Sequence, residues 1–192
     1  YLDEAVQCLE AVQPRLVGMG GESGSGKSTV ARRLAPHLGR PPGALILRSD
    51  VTRKRLFRVR IEERLPEEGY SREATERTYA RLIDDALAAL ESGTTVIADA
   101  VYARPDERNA LESAAAKAGV PFHGFWLDAP LEVRMARVGG RTADASDATV
   151  DFLQRNPRRE TGEMRWSKVD ASDSPEATCR AVLHEMGLEG RA

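Results

Sequence analysis

A chain of 192 residues with 41% hydrophobic and 30% charged residues has the length and composition of one soluble globular domain with a small appendage. A net charge of −2 excludes the broad basic field of a general nucleic-acid binder and leaves nucleic acid only as an acceptor met by a local basic patch. Cys8 and Cys179 are too few and too far apart for a disulfide framework or zinc site, and no apolar run approaches the roughly 18 residues of a membrane span, so a cytoplasmic protein without a membrane partner is expected.

The chain begins at Tyr1 without a signal peptide, as a segment of a longer protein would. Leu2, Ala5, Val6, Leu9 and Val12 share a face of an expected short helix that Pro14 ends, so residues 1–13 read as an N-terminal helix or linker. Leu16-Val17-Gly18-Met19 reads as a buried strand. Gly20 to Thr29 follows as Gly-Gly-Glu-Ser-Gly-Ser-Gly-Lys-Ser-Thr, with Gly21, Gly26, Lys27 and Ser28 on the spacing of a Walker A phosphate loop. Backbone N–H groups from Gly21 through Glu22, Ser23, Gly24, Ser25 and Gly26 to Thr29 are expected to cradle a polyphosphate, helped by the start of a helix. Lys27 would reach the terminal phosphates and the Ser28 hydroxyl would hold Mg²⁺. Val30, Ala31, Leu34, Ala35 and Leu38 give that helix its apolar face, and Gly39 stops it.

Ala44 to Leu47 is a second strand, followed by Arg48-Ser49-Asp50 and a short helix carrying Arg53. From Phe57 to Tyr70 periodicity is lost among charges, the mark of a functional or mobile segment. Ser71 caps a long helix whose buried stripe is Tyr79, Leu82, Ile83, Ala86, Leu87 and Leu90. Thr94 to Ala98 is a third strand ending at Asp99, Pro105 opens a helix to Gly119, and Pro121 to Leu127 is a fourth strand ending at Asp128. A helix carrying Arg134 and Arg137 breaks at Gly139-Gly140-Arg141. Ser146 or Asp147 is expected to cap the next, and Trp166 to Val169 and Pro175 to Met186 close the chain as strand and helix. His123, Trp126 and Trp166 read as core residues.

Alternating strands and helices predict an α/β sandwich with a parallel sheet, in which ligands bind at the carboxyl ends of the strands. Those ends carry the phosphate loop, Asp50, Asp99 and Asp128. Asp128, ahead of Ala-Pro, is explained as a helix cap. Asp50 is the better general base for an acceptor hydroxyl, because Arg53 three residues on would bind an acceptor anion. Asp99 resembles a Walker B acid that holds Mg²⁺ through water or assists Asp50, and both assignments of the base stay open. Arg137 and Arg141 are expected on a lid hinged at the glycines, supplying charge to the transferring phosphoryl group.

The phosphate loop, Leu-Arg-Ser-Asp-Val-Thr-Arg-Lys-Arg-Leu and Val-Ile-Ala-Asp-Ala-Val-Tyr-Ala-Arg-Pro-Asp-Glu-Arg together resemble P-loop kinases of the zeta-toxin and polynucleotide-kinase type. Nearest is the kinase-like ATP-binding domain often fused to an aminoglycoside-phosphotransferase-like domain, which would account for an upstream partner. The resemblance covers residues 14–188, leaving 189–192 as a tail. It implies a three-layer P-loop sandwich like nucleoside-monophosphate kinases, with a five-stranded parallel sheet in order 2-3-1-4-5 and a lid over about residues 137–160. It implies ATP and Mg²⁺, with Lys27, Asp50, Arg137 and Arg141 as catalytic residues. Asp50, Arg53, Asp99 and Arg108 would meet the acceptor, and Ser172 would lie in the adenine loop. The expected activity is transfer of the γ-phosphate to a hydroxyl of a small molecule, nucleotide or nucleic acid. The alternative is an ATP-binding or ATPase switch module acting on a fused or partner domain.

Overall fold

In the computed structural model, which describes residues 12–140 and 145–188, β1 (Leu16–Gly21) is buried along its whole length. Its side chains alternate between two cores. Val17 and Met19 pack on one face with Val30, Leu34 and Val182, while Leu16 packs on the other with Leu82, Leu111 and Trp166. A strand covered on both faces has no polar side to show, hence its unbroken apolar composition.

Beside β1 run β3 (Val96–Asp99) and β4 (Phe122–Asp128), and the outer strands are β2 (Leu45–Arg48) and β5 (Ser167–Asp170). All pairs are parallel, in the order β2-β3-β1-β4-β5. This is the expected order. The register aligns Met19 with Asp99, Asp99 with Arg48, and Asp128 with Asp170, so the charged strand ends share one edge.

The helices are α1 (Lys27–Leu34), α2 (Ser49–Leu56), α3 (Arg72–Glu91), α4 (Pro105–Ala118), α5 (Leu131–Gly139), α6 (Val150–Arg155) and α7 (Pro175–Glu185). Helices α1 and α7 cover one face of the sheet, and α3 and α4 the other. The Ser71 hydroxyl accepts from the Ala74 N–H at 3.2 Å, which caps α3 as expected. None of the described helices is long and apolar enough to cross a membrane.

Trp166 explains three glycines inside strands. A Cβ on Gly124 would lie 2.5 Å from its ring, and one on Gly18 2.6 Å away. One on Gly20 would lie 3.1 Å from Trp166 and 3.2 Å from Trp126. The indole fills the groove these glycines leave in β1 and β4, with its N–H donating to Glu112 at 2.8 Å.

Three local expectations change. Asp50 lies in the first turn of α2 rather than ahead of it. The residue preceding α5 is Pro130, with no side-chain cap, so Asp128 does not cap that helix; its carboxylate lies 3.7 Å from Arg158 instead. The cap of α6 is Thr149, whose hydroxyl accepts from the Phe152 N–H at 3.2 Å, because Asp147 is engaged elsewhere. The expected helix or linker over 1–13 falls almost wholly outside the described residues, as do Cys8, Arg141 and the 189–192 tail.

Candidate active site

The phosphate loop leaves β1 at its carboxyl end and returns as α1. Gly24 has φ of +84°, and a Cβ there would lie 2.7 Å from the Arg134 carbonyl oxygen on α5, so only glycine fits. No side chain caps the N-terminus of α1, which leaves its first N–H groups and positive dipole end facing the loop. The Lys27 ammonium folds back to donate to the carbonyls of Gly21 (2.7 Å) and Glu22 (2.9 Å).

A line of polar contacts runs from the loop across the strand ends. The Ser28 hydroxyl donates to Asp99 at 2.5 Å. Asp99 is only 4% exposed, with the Arg48 Nε 3.8 Å from its carboxylate. Arg48 in turn donates from Nη2 to Asp50 at 2.7 Å, and the other Asp50 oxygen accepts from the Val51 N–H at 2.9 Å. Burial pushes the Asp99 carboxyl above the usual carboxylate range, with neighbouring Asp50 adding to this against the pull of Lys27 and Ser28. A buried carboxylate so poorly compensated beside a serine hydroxyl fits a hard divalent cation such as Mg²⁺, which takes oxygen ligands and keeps waters and phosphates as the rest. Nothing local in the sequence marks Arg48, although as the last residue of β2 it stands on the strand edge where such folds bind ligands.

The cavity over this line has a volume of about 1570 Å³, beyond the roughly 300–1,000 Å³ of a site for one small ligand. Its lining extends from the phosphate loop to Arg53, Tyr70, Tyr79, Glu107 and Phe152. Arg53 is 9% exposed and donates to the Gly69 carbonyl (2.7 Å) and the Thr75 hydroxyl (3.2 Å), its guanidinium 5.5 Å from the centre of the Tyr70 ring. No carboxylate among the described residues forms a salt bridge with it, and burial pulls its pKa below the usual arginine value.

Lys54 organises the far wall. The residue is 1% exposed, and its ammonium donates to the Ile61 carbonyl (2.8 Å) and to Asp147 (2.9 Å). The other Asp147 oxygen accepts from the Leu65 N–H (2.9 Å) and the Tyr70 hydroxyl (2.5 Å). Burial pushes the Asp147 carboxyl up, but these hydrogen bonds outweigh it and hold the group below the usual carboxylate range. The irregular 57–70 segment is thereby tied to α2 and to the residues ahead of α6.

Two predicted arginines occupy braces. Arg137 donates to the carbonyls of Ser25 (3.2 Å), Ala171 (2.8 Å), Ser172 (3.4 Å) and Asp173 (2.7 Å), joining the phosphate loop to the loop after β5. Ser172 meets this clamp through its carbonyl, and its N–H donates to Asp170 at 2.9 Å. Arg108, 2% exposed, donates to the carbonyls of Tyr102, Ala103, Thr161 and Glu163 and is not among the residues lining the cavity. The Glu22 side chain accepts from the Arg159 N–H at 2.8 Å, so it too holds a loop.

Known proteins resemble this chain in sequence and in fold. An uncharacterized protein of Mycobacterium tuberculosis is 28% identical over 188 residues, covering 96% of this chain and 37% of the relative. The chain thus spans little more than a third of that relative's length. An adenylyl-sulfate kinase of Myxococcus xanthus is 33% identical over 117 residues, 61% of this chain and 59% of that protein. The APS kinase CysC of Mycobacterium tuberculosis, solved with AMPPNP and APS, superposes with a TM-score of 0.62 at 20% identity, over 91% of this chain and 98% of that one. It has the same fold. The AAA_33 family model, described as an AAA domain, matches residues 16–159, from the first residue of β1 to the arginine held by Glu22, and the chain belongs to that family of P-loop kinases.

Proposed function

We propose that the chain transfers the γ-phosphate of ATP to a hydroxyl group of a small-molecule or nucleotide acceptor. The observation that carries this reading is the polar line from Ser28 through Asp99 and Arg48 to Asp50, which joins the phosphate loop to the part of the cavity lined by Arg53. A module that only hydrolyses ATP has no use for cavity space beyond what the nucleotide and its attacking water fill.

The acceptor oxygen would attack the γ-phosphorus as the bond from that phosphorus to the β–γ bridging oxygen breaks. ADP leaves, the phosphoryl group stays on the acceptor, and the acceptor proton passes to the Asp50 carboxylate. Lys27 would turn from its loop carbonyls to the terminal phosphates, and Arg48 keeps Asp50 aimed. Ser28 and Asp99 would hold Mg²⁺, which would supply positive charge against the phosphates. Arg137 fixes the loop in position to receive the nucleotide. The proposal also covers a cytoplasmic protein in which this domain follows an upstream domain of the aminoglycoside-phosphotransferase-like kind, as the greater length of the mycobacterial relative allows.

Labelled ATP, Mg²⁺ and a panel of nucleosides, nucleotides, sugars and oligonucleotides test the reading. Label on an acceptor, lost with Lys27→Ala and Asp50→Asn, supports it. Release of free phosphate only, indifferent to Asp50→Asn, would replace it with the ATPase switch.

A further inference from the structure

Resting on the phosphotransferase reading, we infer that the acceptor carries a flat ring and an anionic group beside its hydroxyl, so that it belongs to the nucleotide class rather than to bare sugars and polyols. Among the described residues the exposed large hydrophobic side chains are Leu45, Ile61, Tyr70 and Phe152, and all but Leu45 line the cavity. Single exposed apolar residues are ordinary, whereas a group of them around one cavity marks a surface that a ligand covers.

The backbone that carries Ile61 and Phe152 and the tip of Tyr70 are also held in place. The Ile61 carbonyl is fixed by Lys54 and the Tyr70 hydroxyl by Asp147. Phe152 sits in the first turn of α6, its N–H capped by Thr149 and its neighbour Leu153 1% exposed. A rigid aromatic wall loses little freedom when a second ring lies against it. Each aromatic side chain is accompanied by a guanidinium, Arg53 at 5.5 Å from the Tyr70 ring and Arg159 at 6.0 Å from the Phe152 ring. An anion attached to the stacked ring would therefore meet a cation at either side.

Electrostatics and composition favour the same class. Arg53 is buried without a carboxylate salt-bridge partner among the described residues, a deficit that an acceptor anion removes. Among the described residues of the lining basic side chains outnumber acidic ones, although the chain carries a net charge of −2. No Asn, Gln or His appears among the described residues of the lining, so the amide groups that usually read a polyol in both directions are missing.

The test uses the protein saturated with ADP and Mg²⁺, so that the nucleotide side is occupied. Calorimetry then compares the common ribonucleoside 5′-monophosphates with ribose 5-phosphate, which has the same anion and hydroxyls without the ring, and with the free nucleosides, which have the ring without the anion. At least one monophosphate is expected to bind about tenfold or more tighter than its two fragments, the scale of one base stacked on an aromatic side chain. Phe152→Ser and, independently, Ile61→Ser should weaken that binding about tenfold and leave the KM for ATP unchanged. Ribose 5-phosphate binding as tightly as every monophosphate, or monophosphate binding indifferent to both variants, would overturn the inference. Phe152-dependent binding without transfer of label would leave the ring site standing and remove the phosphotransferase reading. Label passing to ribose 5-phosphate as readily as to any nucleotide would do the reverse.

Discussion

The two halves of the cavity are built by different means. The nucleotide half comes from one unbroken stretch, Gly20 to Thr29, and works through backbone geometry: glycine dihedrals, an uncapped helix start and carbonyls gripped by Arg137. The acceptor half draws side chains from α2, the 57–70 segment, α3, α4 and the residues before and after α6, and works through polar ties between them. Backbone geometry survives substitution of almost any side chain outside the glycines. A knot of side chains does not, so the acceptor half is the more sensitive to single substitutions.

The largest effect should come from the nucleotide half. Lys27→Ala removes the charge nearest the transferring group and should lower turnover by about 10³–10⁵, the range seen when a cation is withdrawn from such a transition state. Steady-state kinetics with a product-specific assay reads this. Asp50→Asn should lower transfer by about 10²–10⁴ while equilibrium binding of ATP stays at the wild-type value. Weakened ATP binding in that variant would show that the halves are not separable.

Asp147→Ala leaves the Lys54 ammonium buried and unpaired, a loss of about 3–5 kcal/mol when one partner of a buried pair is removed. Hydrogen exchange should show the 57–70 amides opening while those of α1 remain protected. Equal loss in both places would mean one cooperative unit. Because the Asp147 carboxyl is held below its ordinary value of 3.8, its contribution is complete above that value and is lost as pH falls through the lower folded value. The acceptor wall should loosen in acid before α1 does.

The smallest effect has the opposite sign. The buried Asp99 carboxyl is raised above 3.8, so the fold is favoured below that value and loses stability as pH rises through the raised one. Asp99→Asn should therefore raise the melting temperature at neutral pH in EDTA by a few degrees, on a scale of about 2–4 °C per kcal/mol, and the gain should vanish in acid. The same variant should lose Mg²⁺-dependent transfer.

What the sequence carries follows the same division. The phosphate loop and the strand-end carboxylates were legible because contiguous spacing and strand periodicity are local signals. Lys54 and Asp147 lie 93 residues apart, one in a basic run and one in a small polar stretch, and nothing local marks either as a partner. The same pairing explains why Thr149, not Asp147, caps α6: a capping side chain has alternative partners, and tertiary contacts decide between them. Arg108 and Arg137 show a further limit. A chain of residues cannot say which arginine lines a cavity: both donate to backbone carbonyls, but Arg137 lines the cavity and Arg108 does not.

The glycine groove under Trp166 makes this protein its own optical gauge. Its two tryptophans both press on Gly20, where β1 becomes the phosphate loop, and both are shielded from water. Any shift in the root of that loop changes the surroundings of both emitters at once. Nucleotide loading should therefore be readable from intrinsic fluorescence, with neither a dye nor a labelled ligand.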